Sequence, residues 1–139
     1  MSWNSRTASA WRHEIEEIVR SSLDPASGLA VSASVEGDGY LTLTIQPSSL
    51  TTRALTHPER AQARIGTLGT EWILLDLDGN FELREWYGDP EELREKLMLL
   101  ARLAEAYLTG EGSEEVKRGI LGRRHHELTL ALDGERFVF

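Results

Sequence analysis

The stretch Glu71–Leu108 reads EWILLDLDGNFELREWYGDPEELREKLMLLARLAEAYL, and its pattern predicts a β-hairpin that leads directly into the longest helix of the chain. Trp72–Leu77 is an apolar run of strand length, and Phe81–Tyr87 alternates between apolar and polar residues. Between them, Asp78-Gly79-Asn80 supplies the small and αL-tolerant residues that a tight hairpin loop needs.

The long helix that follows has a clear start. Asp89 can cap it, Pro90 suits its first position, and Glu92 lies where a capping box places an acid. Apolar residues at helical spacing then predict one buried stripe, made of Leu93, Leu97, Leu100, Ala104 and Leu108.

Upstream of this stretch, the pattern predicts one helix and a second hairpin. The helix covers about Ala8–Leu23 and ends before Asp24-Pro25, because the residue before a proline avoids helical backbone angles. Leu29–Val35 and Tyr40–Gln46 alternate with period two on either side of Gly37-Asp38-Gly39. One face of this hairpin is small or polar, which indicates a sheet covered on one side only.

The segment Ser48–Thr70 has a low apolar content, so we expect it on the surface. Within it, Thr56–Ile65 is predicted as a short helix, and Gly66 and Gly69 are predicted to mark a turn before the central hairpin.

Downstream of the long helix, Gly110 is a stop signal. Ser113–Leu121 is predicted as one or two helical turns capped by its serine. His126–Leu132 alternates again, Asp133-Gly134 fits a two-residue hairpin turn, and Glu135–Phe139 is predicted as the returning strand.

These elements predict an α+β fold in one domain that covers residues 1–139. Three hairpins favour antiparallel pairing, because parallel neighbours need crossover connections. The expected architecture is a single curved antiparallel sheet built from the three β-hairpins, with the two main helices packed on one face.

Composition excludes several classes of function. The chain has a formal net charge of −8 at pH 7, so we expect no nucleic-acid partner and a preference for basic proteins. It has no cysteine, which excludes disulfides and cysteine metal sites. No signal peptide or membrane-spanning run is evident, and we therefore expect a cytoplasmic protein with no membrane partner.

The candidate catalytic and metal-binding motifs do not fit the secondary structure predicted around them. The run ending in Asp76-Leu77-Asp78-Gly79 resembles the first motif of the haloacid-dehalogenase phosphatases, but a second strand follows at once where that family has a loop and helix. His125 and His126 are neighbours on a predicted strand, so their side chains point to opposite faces and cannot chelate one ion together. We expect no catalytic site, cofactor or metal.

Two tryptophans of the central hairpin, Trp72 and Trp86, are expected to face each other across its strands. With Leu74 they form either a second layer of core, under Ser48–Thr70 or the first helix, or an exposed contact patch.

Acidic residues concentrate in the hairpin and the start of the long helix. Between Glu71 and Lys96, three bases oppose nine acids, which leaves −6 of the chain's −8. The sequence therefore predicts that this hairpin–helix surface binds a basic protein, through Trp72, Asp76, Asp78, Glu82, Glu85, Trp86, Asp89 and Glu92.

In its size, its acidity and the hairpin–helix layout of Glu71–Glu95, the chain resembles the small acidic immunity proteins of bacterial toxin systems. It also resembles the small acidic chaperones of secreted effectors. The resemblance implies a non-enzymatic protein that binds a basic client, a toxin or effector, in a one-to-one complex. Two alternatives remain open: a small-molecule binding or catalytic domain with a pocket between sheet and helices, and an oligomerising subunit that forms a homodimer rather than a monomer.

Overall fold

A computed structural model of the chain describes residues 11–36, 39–48, 59–67, 71–119, 122 and 124–139. A three-residue 3-10 helix (Pro25–Ser27) lies in these ranges, together with two α-helices and eight strands. In chain order the α-helices and strands are α1 (Arg12–Ser22), β1 (Leu29–Val35), β2 (Leu41–Pro47), β3 (Ala63–Thr67), β4 (Trp72–Leu77), β5 (Phe81–Trp86), α2 (Pro90–Leu108), β6 (Ser113–Arg118), β7 (Arg124–Leu132) and β8 (Glu135–Val138).

The fold is α+β, as the sequence predicts, but its strands form two antiparallel sheets instead of one. Strands β1 to β5 follow each other in one five-stranded sheet, and β6 to β8 form a separate three-stranded sheet. The prediction of a single sheet was wrong because it lacked β3 and β6. With β6 beside it, the last hairpin has its own third strand and does not join the larger sheet.

Strand β3 is the centre of the five-stranded sheet and corrects the prediction of a surface helix over Thr56–Ile65. Ile65 pairs with Leu43 on one side and with Leu75 on the other, and it is buried. Gly66, expected in a turn, lies inside this strand, where an added Cβ would clash with the Tyr40 hydroxyl. Residues 49–58 and 68–70 of the predicted surface segment lie outside the described residues.

Strand β6 corrects the second helical prediction. Ser113–Arg118 pairs along its whole length with β7, so its capped helical turns do not form. Gly112 precedes it with a positive φ of 82°, and an added Cβ there would lie 2.6 Å from the Thr129 carbonyl oxygen. The glycine allows the chain to leave α2 and run directly against β7.

The central hairpin and the start of α2 form as predicted. Asp78 and Gly79 both have positive φ angles, as a tight loop requires. The Asp89 carboxylate accepts the Glu92 amide at 2.8 Å. The Glu92 carboxylate reaches one residue further back than in a capping box and accepts the Gly88 amide at 3.2 Å.

Other predicted elements also agree with the structure. The first helix runs over Arg12–Ser22 and ends before Asp24, and residues 8–10 of its predicted range lie outside the described residues. The last hairpin turns at Asp133 and Gly134, which both have positive φ angles. Residues 37–38 of the predicted first hairpin turn lie outside the described residues.

Both sheets contribute to one apolar core around α2. The predicted stripe from Leu93 to Leu108 is buried along its whole length, and Ala101, Leu103, Ala106 and Tyr107 widen it. The α2 helix contacts β2, β3 and β4 of the larger sheet and β7 of the smaller one. Neither helix in the described residues is long and apolar enough to cross a membrane.

The buried stripe yields the first prediction. Leu97 and Leu100 are fully buried, so Leu97→Ala or Leu100→Ala should each lower the free energy of unfolding by roughly 2–5 kcal/mol through lost contacts and a residual cavity. Met98 lies between them in sequence but is 40% exposed, so Met98→Ala should change it by less than about 1 kcal/mol. Urea unfolding of the three variants measures this, and equal losses at all three positions would contradict the orientation of α2.

Candidate functional site

The tip of the central hairpin is fastened to the rest of the chain through Asp78. Its carboxylate accepts the backbone amides of Ala61 and Gln62 at 3.0–3.2 Å. The Tyr107 hydroxyl also donates to it, at 2.6 Å. Sequence reasoning placed Asp78 on a binding surface, whereas its carboxylate holds the segment before β3 and the last turn of α2.

Arg60 is the charged residue that sequence reasoning missed. It is only 4% exposed, and its guanidinium donates to the carbonyls of Tyr107 at 3.1 Å and Glu111 at 2.6 Å, at the C-terminal end of α2. A second nitrogen meets the Glu114 carboxylate of β6 at 3.3 Å. The guanidinium also lies 4.8 Å from the centre of the Tyr107 ring, at cation–π distance.

Asp78, Tyr107, Arg60 and Glu114 therefore form one polar chain between the two sheets. Burial raises the pKa of the Tyr107 hydroxyl well above its ordinary value, and the hydrogen bond to Asp78 raises it further. The phenol stays protonated and donates to the carboxylate. Both oxygens of the Asp78 carboxylate therefore accept hydrogen bonds from within the chain.

The eight residues predicted to bind protein do not form one surface. Trp72 and Trp86 are direct partners in the β4–β5 register, and Asp76 is the partner of Glu82. All four lie on the sheet face turned away from buried Ile73, Leu75 and Leu77.

On this outer face, Trp86 is exposed and Trp72 is half-buried. The Arg84 guanidinium lies 4.9 Å from the Trp72 ring centre, and the Tyr40 ring lies 6.3 Å from it. The first helix packs against α2 and β1. Of the two alternatives, core or exposed contact patch, exposure applies to Trp86, whereas Trp72 is partly covered by Arg84 and Tyr40.

The other predicted acids have local partners. Glu85 meets Lys96 of α2 at 3.3 Å, and Asp89 and Glu92 are used in the cap of the helix. Charge on the outer face is balanced, because Arg64 pairs in register with Asp76, and Arg84 lies 3.8 Å from Glu82.

A groove with a volume of about 460 Å³ lies between α1 and the start of α2. Ile18 and Pro90 give it apolar walls. Three glutamates line it, Glu14 and Glu17 from α1 and Glu91 from α2, against a single arginine, Arg94. We call it the acidic groove; His13 and Ser21 complete its lining.

The three glutamates of the acidic groove are available for a partner. All three are exposed, and within the described residues none makes a side-chain hydrogen bond or an ion pair. Glu91 also borders an adjacent depression lined by Asp89, Glu92, Glu95 and Lys96. Sequence reasoning counted Glu91 and Glu95 in its acidic run but missed the α1 glutamates, since only the packing of α1 on α2 brings them there.

Metal-binding residues do not assemble in the parts of the chain that the structure describes. No group of three or more histidine, aspartate and glutamate side chains is placed to hold an ion there. His125 and His126 lie consecutively on β7, where they pair with Lys117 and Val116 of β6. The predicted pocket between sheet and helices differs from the acidic groove, which lies between the two helices.

Comparison with known proteins gives no match. No protein-family model matches the chain, and no curated protein or solved structure matches it significantly.

The polar chain yields a pH-dependent prediction. Tyr107→Phe should lower the free energy of unfolding at pH 7 by roughly 1.5–3 kcal/mol, because a buried hydrogen bond to a carboxylate is lost. The pKa of Tyr107 is higher in the folded state than its ordinary value of 10.0, so the contribution of its hydroxyl is complete below that pH and is lost as the pH rises above it.

Urea unfolding of Tyr107→Phe and the unsubstituted chain across pH 7–11.5 tests this. The deficit of the variant should shrink by about 1.4 kcal/mol for each pH unit above roughly 10. A deficit that stays constant over the whole range would contradict the raised pKa.

Proposed function

We propose that this chain is a non-enzymatic protein-binding domain whose acidic groove receives a basic segment of a client protein. The observation that carries the proposal is the set of three glutamates, contributed by two helices, that surround apolar walls and have no partner within the described residues. An exposed ion pair contributes little to the stability of a fold. Leaving these three glutamates without an ion pair therefore lowers stability only slightly, and their charges remain available to bind a partner.

The lining of the acidic groove suggests the chemistry of the segment. Glu14, Glu17, Ile18 and Ser21 follow helical spacing along α1, so they present one stripe to the partner. An apolar side chain between Ile18 and Pro90 would be desolvated, as the anchor of an interface usually is. Lysines or arginines on either side of that anchor would reach the glutamates.

Charge complementarity then governs the speed of association. The whole chain carries −8, so its field attracts a basic client from a distance, and the acidic groove supplies the local contact. A basic toxin neutralised by an immunity-type inhibitor, or a secreted effector held by a chaperone in the cytoplasm, is a client of this kind.

We assign no reaction to this chain because of where the two acids of the phosphatase-like motif lie. Asp78, the second acid of the phosphatase-like motif, already accepts hydrogen bonds from three donors within the chain. Asp76 faces the outer side of the sheet between Arg64 and Glu82. Neither lines the acidic groove, and we assign no catalytic role to them.

A second candidate function is the binding of a small molecule in the acidic groove. Its volume of about 460 Å³ is in the usual range for ligand pockets, and Ile18 and Pro90 would contact an apolar part of a cationic compound. The same residues serve both candidates, so the nature of the retained partner decides between them.

Charge reversal in the acidic groove tests the proposal. Glu14→Lys, Glu17→Lys and Glu91→Lys together should remove a basic client that the unsubstituted chain retains from a lysate of the source organism. With that client purified, the association rate constant should fall at least about tenfold at low ionic strength, and its dependence on salt should weaken. Circular dichroism confirms that the variant is folded.

A matched control reverses three exposed acids away from the acidic groove, Glu36, Glu71 and Glu135. It changes the net charge equally, so it should slow association less and should retain the client. If the groove variant keeps the client with an unchanged rate, or if both variants slow it equally, the acidic groove is not the binding site. Retention of a small molecule in place of a protein would favour the second candidate.

A further inference from the structure

The edge strands of the two sheets differ in whether their outward backbone groups already make hydrogen bonds to other parts of the chain. At the β1 edge, the side chains of α1 cover the backbone: Arg20 donates to the Val31 carbonyl at 2.8 Å and Arg12 to the Ala33 carbonyl at 3.3 Å. These contacts obstruct the addition of another strand there. No comparable cover lies along β6 in the described residues, and all six of its residues are exposed.

Strand β6 forms a ribbon that extends beyond the third strand of its sheet. β8 pairs with β7 only from Thr129 to Leu132, and Phe139 continues this pairing to Leu128. The outer part, Glu115–Arg118 paired with Arg124–Glu127, is therefore two strands wide in the described residues. A ribbon of two strands is marginally stable in water, so an added strand would stabilise it.

The register shows which backbone groups of β6 are free for an added strand. Leu128 exchanges two hydrogen bonds with Phe139, at 3.3 and 2.8 Å, so its amide and carbonyl point away from β6. Its partner on β6 is Glu114. Because backbone direction alternates along a strand, the amides and carbonyls of Glu114, Val116 and Arg118 point to the open edge.

We propose that β6 is a dimerisation strand that pairs antiparallel with β6 of a second copy of this chain, centred on Val116. The sequence Ser113–Arg118 reads SEEVKR and is complementary to itself in this direction. Val116, which is 55% exposed, would lie opposite Val116 of the second copy. Glu115 would lie opposite Lys117, and Glu114 opposite Arg118, once in each direction.

Charge also selects this register over its neighbours. A shift by two residues one way places Glu115 opposite Glu115, and a shift the other way places Lys117 opposite Lys117. Like charges directly opposite each other are unfavourable, so both shifted registers are disfavoured. Two salt bridges within the chain, Lys117 with Glu127 at 2.8 Å and Arg60 with Glu114 at 3.3 Å, use the same charges and would be shared with the second copy.

The dimer joins two three-stranded sheets into one continuous sheet and closes both β6 edges. It uses no residue of the acidic groove, so it is independent of the proposed client. The β5 edge is the alternative dimer interface. Glu82 and Arg84 flank Leu83 there and give a shorter pattern that is complementary to itself. That edge already belongs to a five-stranded sheet and has no two-stranded ribbon to stabilise.

A charge-swap experiment tests the pairing by sedimentation equilibrium over a concentration series. The unsubstituted chain should reach twice the monomer mass. Glu115→Lys and Lys117→Glu should each remain monomeric, because each sets like charges opposite each other. An equimolar mixture of the two variants should recover the dimer, since every lysine then faces a glutamate.

The controls make the same charge changes on β8, with Glu135→Lys and Arg136→Glu, and both should remain dimeric. A monomeric unsubstituted chain at every concentration overturns the proposal. So does a dimer that both single β6 variants preserve, or a mixture of these variants that stays monomeric.

Disulfide trapping tests the register directly, because the chain has no cysteine of its own. Glu115 and Lys117 would form a non-hydrogen-bonded pair, whose Cα atoms lie about 4.5 Å apart, within the range of a disulfide. An equimolar mixture of Glu115→Cys and Lys117→Cys should form a covalent dimer on mild oxidation and still keep one Glu115–Lys117 pair. Leu83→Cys should remain uncrosslinked, whereas a covalent dimer at Leu83 alone would assign the interface to β5 and overturn the proposal.

Discussion

The burial of the Arg60 guanidinium against the end of α2 is the contact on which the arrangement of the two sheets depends. A buried charge is costly, and here three kinds of group offset its desolvation: helix-terminal carbonyls, the Glu114 carboxylate and the face of Tyr107. The C-terminal end of a helix favours a cation, so the guanidinium lies where the helix dipole supports it. Its partners belong to α2 and β6, which fixes the smaller sheet against the long helix.

The way α2 ends prepares this contact. Gly110 adopts a left-handed conformation, and the amides of Glu111 and Gly110 bond to the carbonyls of Ala106 and Tyr107 at 2.9 and 3.1 Å, in a Schellman motif. The chain then reverses, and the Glu111 carbonyl reaches Arg60. Asp78 adds the hairpin tip to the same assembly through the Tyr107 hydroxyl. One tyrosine therefore couples both sheets to the last turn of the helix.

This internal use of charge leaves much of the acidic stretch between Glu71 and Lys96 occupied by contacts within the chain. Several acids between Glu71 and Lys96 cap a helix, fasten a loop or pair with a lysine, so their charges are matched locally. Glu14, Glu17 and Glu91, which make no ion pair within the described residues, lie where α1 packs beside α2. The balanced outer face of the five-stranded sheet and the acidic helix layer are thus two different surfaces, although both draw residues from the same stretch of sequence.

Elements whose hydrogen bonds and apolar contacts are local could be predicted. The central hairpin, the Asp89 cap, the α2 stripe and the Asp133-Gly134 turn each have their signal within a few residues, because turn conformation and helical spacing are properties of the local chain. Strand β3 has only one large apolar residue, Ile65, and β6 has only Val116. Because their backbone partners are distant in sequence, the local sequence pattern predicts neither strand.

The sequence by itself determined the fold class, the hairpin that leads into the long helix, and the excess of acid in that stretch. Only the tertiary structure decided that the strands form two sheets, that Arg60 is buried, and that Glu14 and Glu17 come to lie beside Glu91. The reason is physical: a strand is stabilised by neighbours that lie anywhere in the chain, and a buried charge is tolerated only where partners from several elements meet. Whether an acid is a cap, a fastener or a free surface group is therefore a property of its packing and not of its position in the sequence.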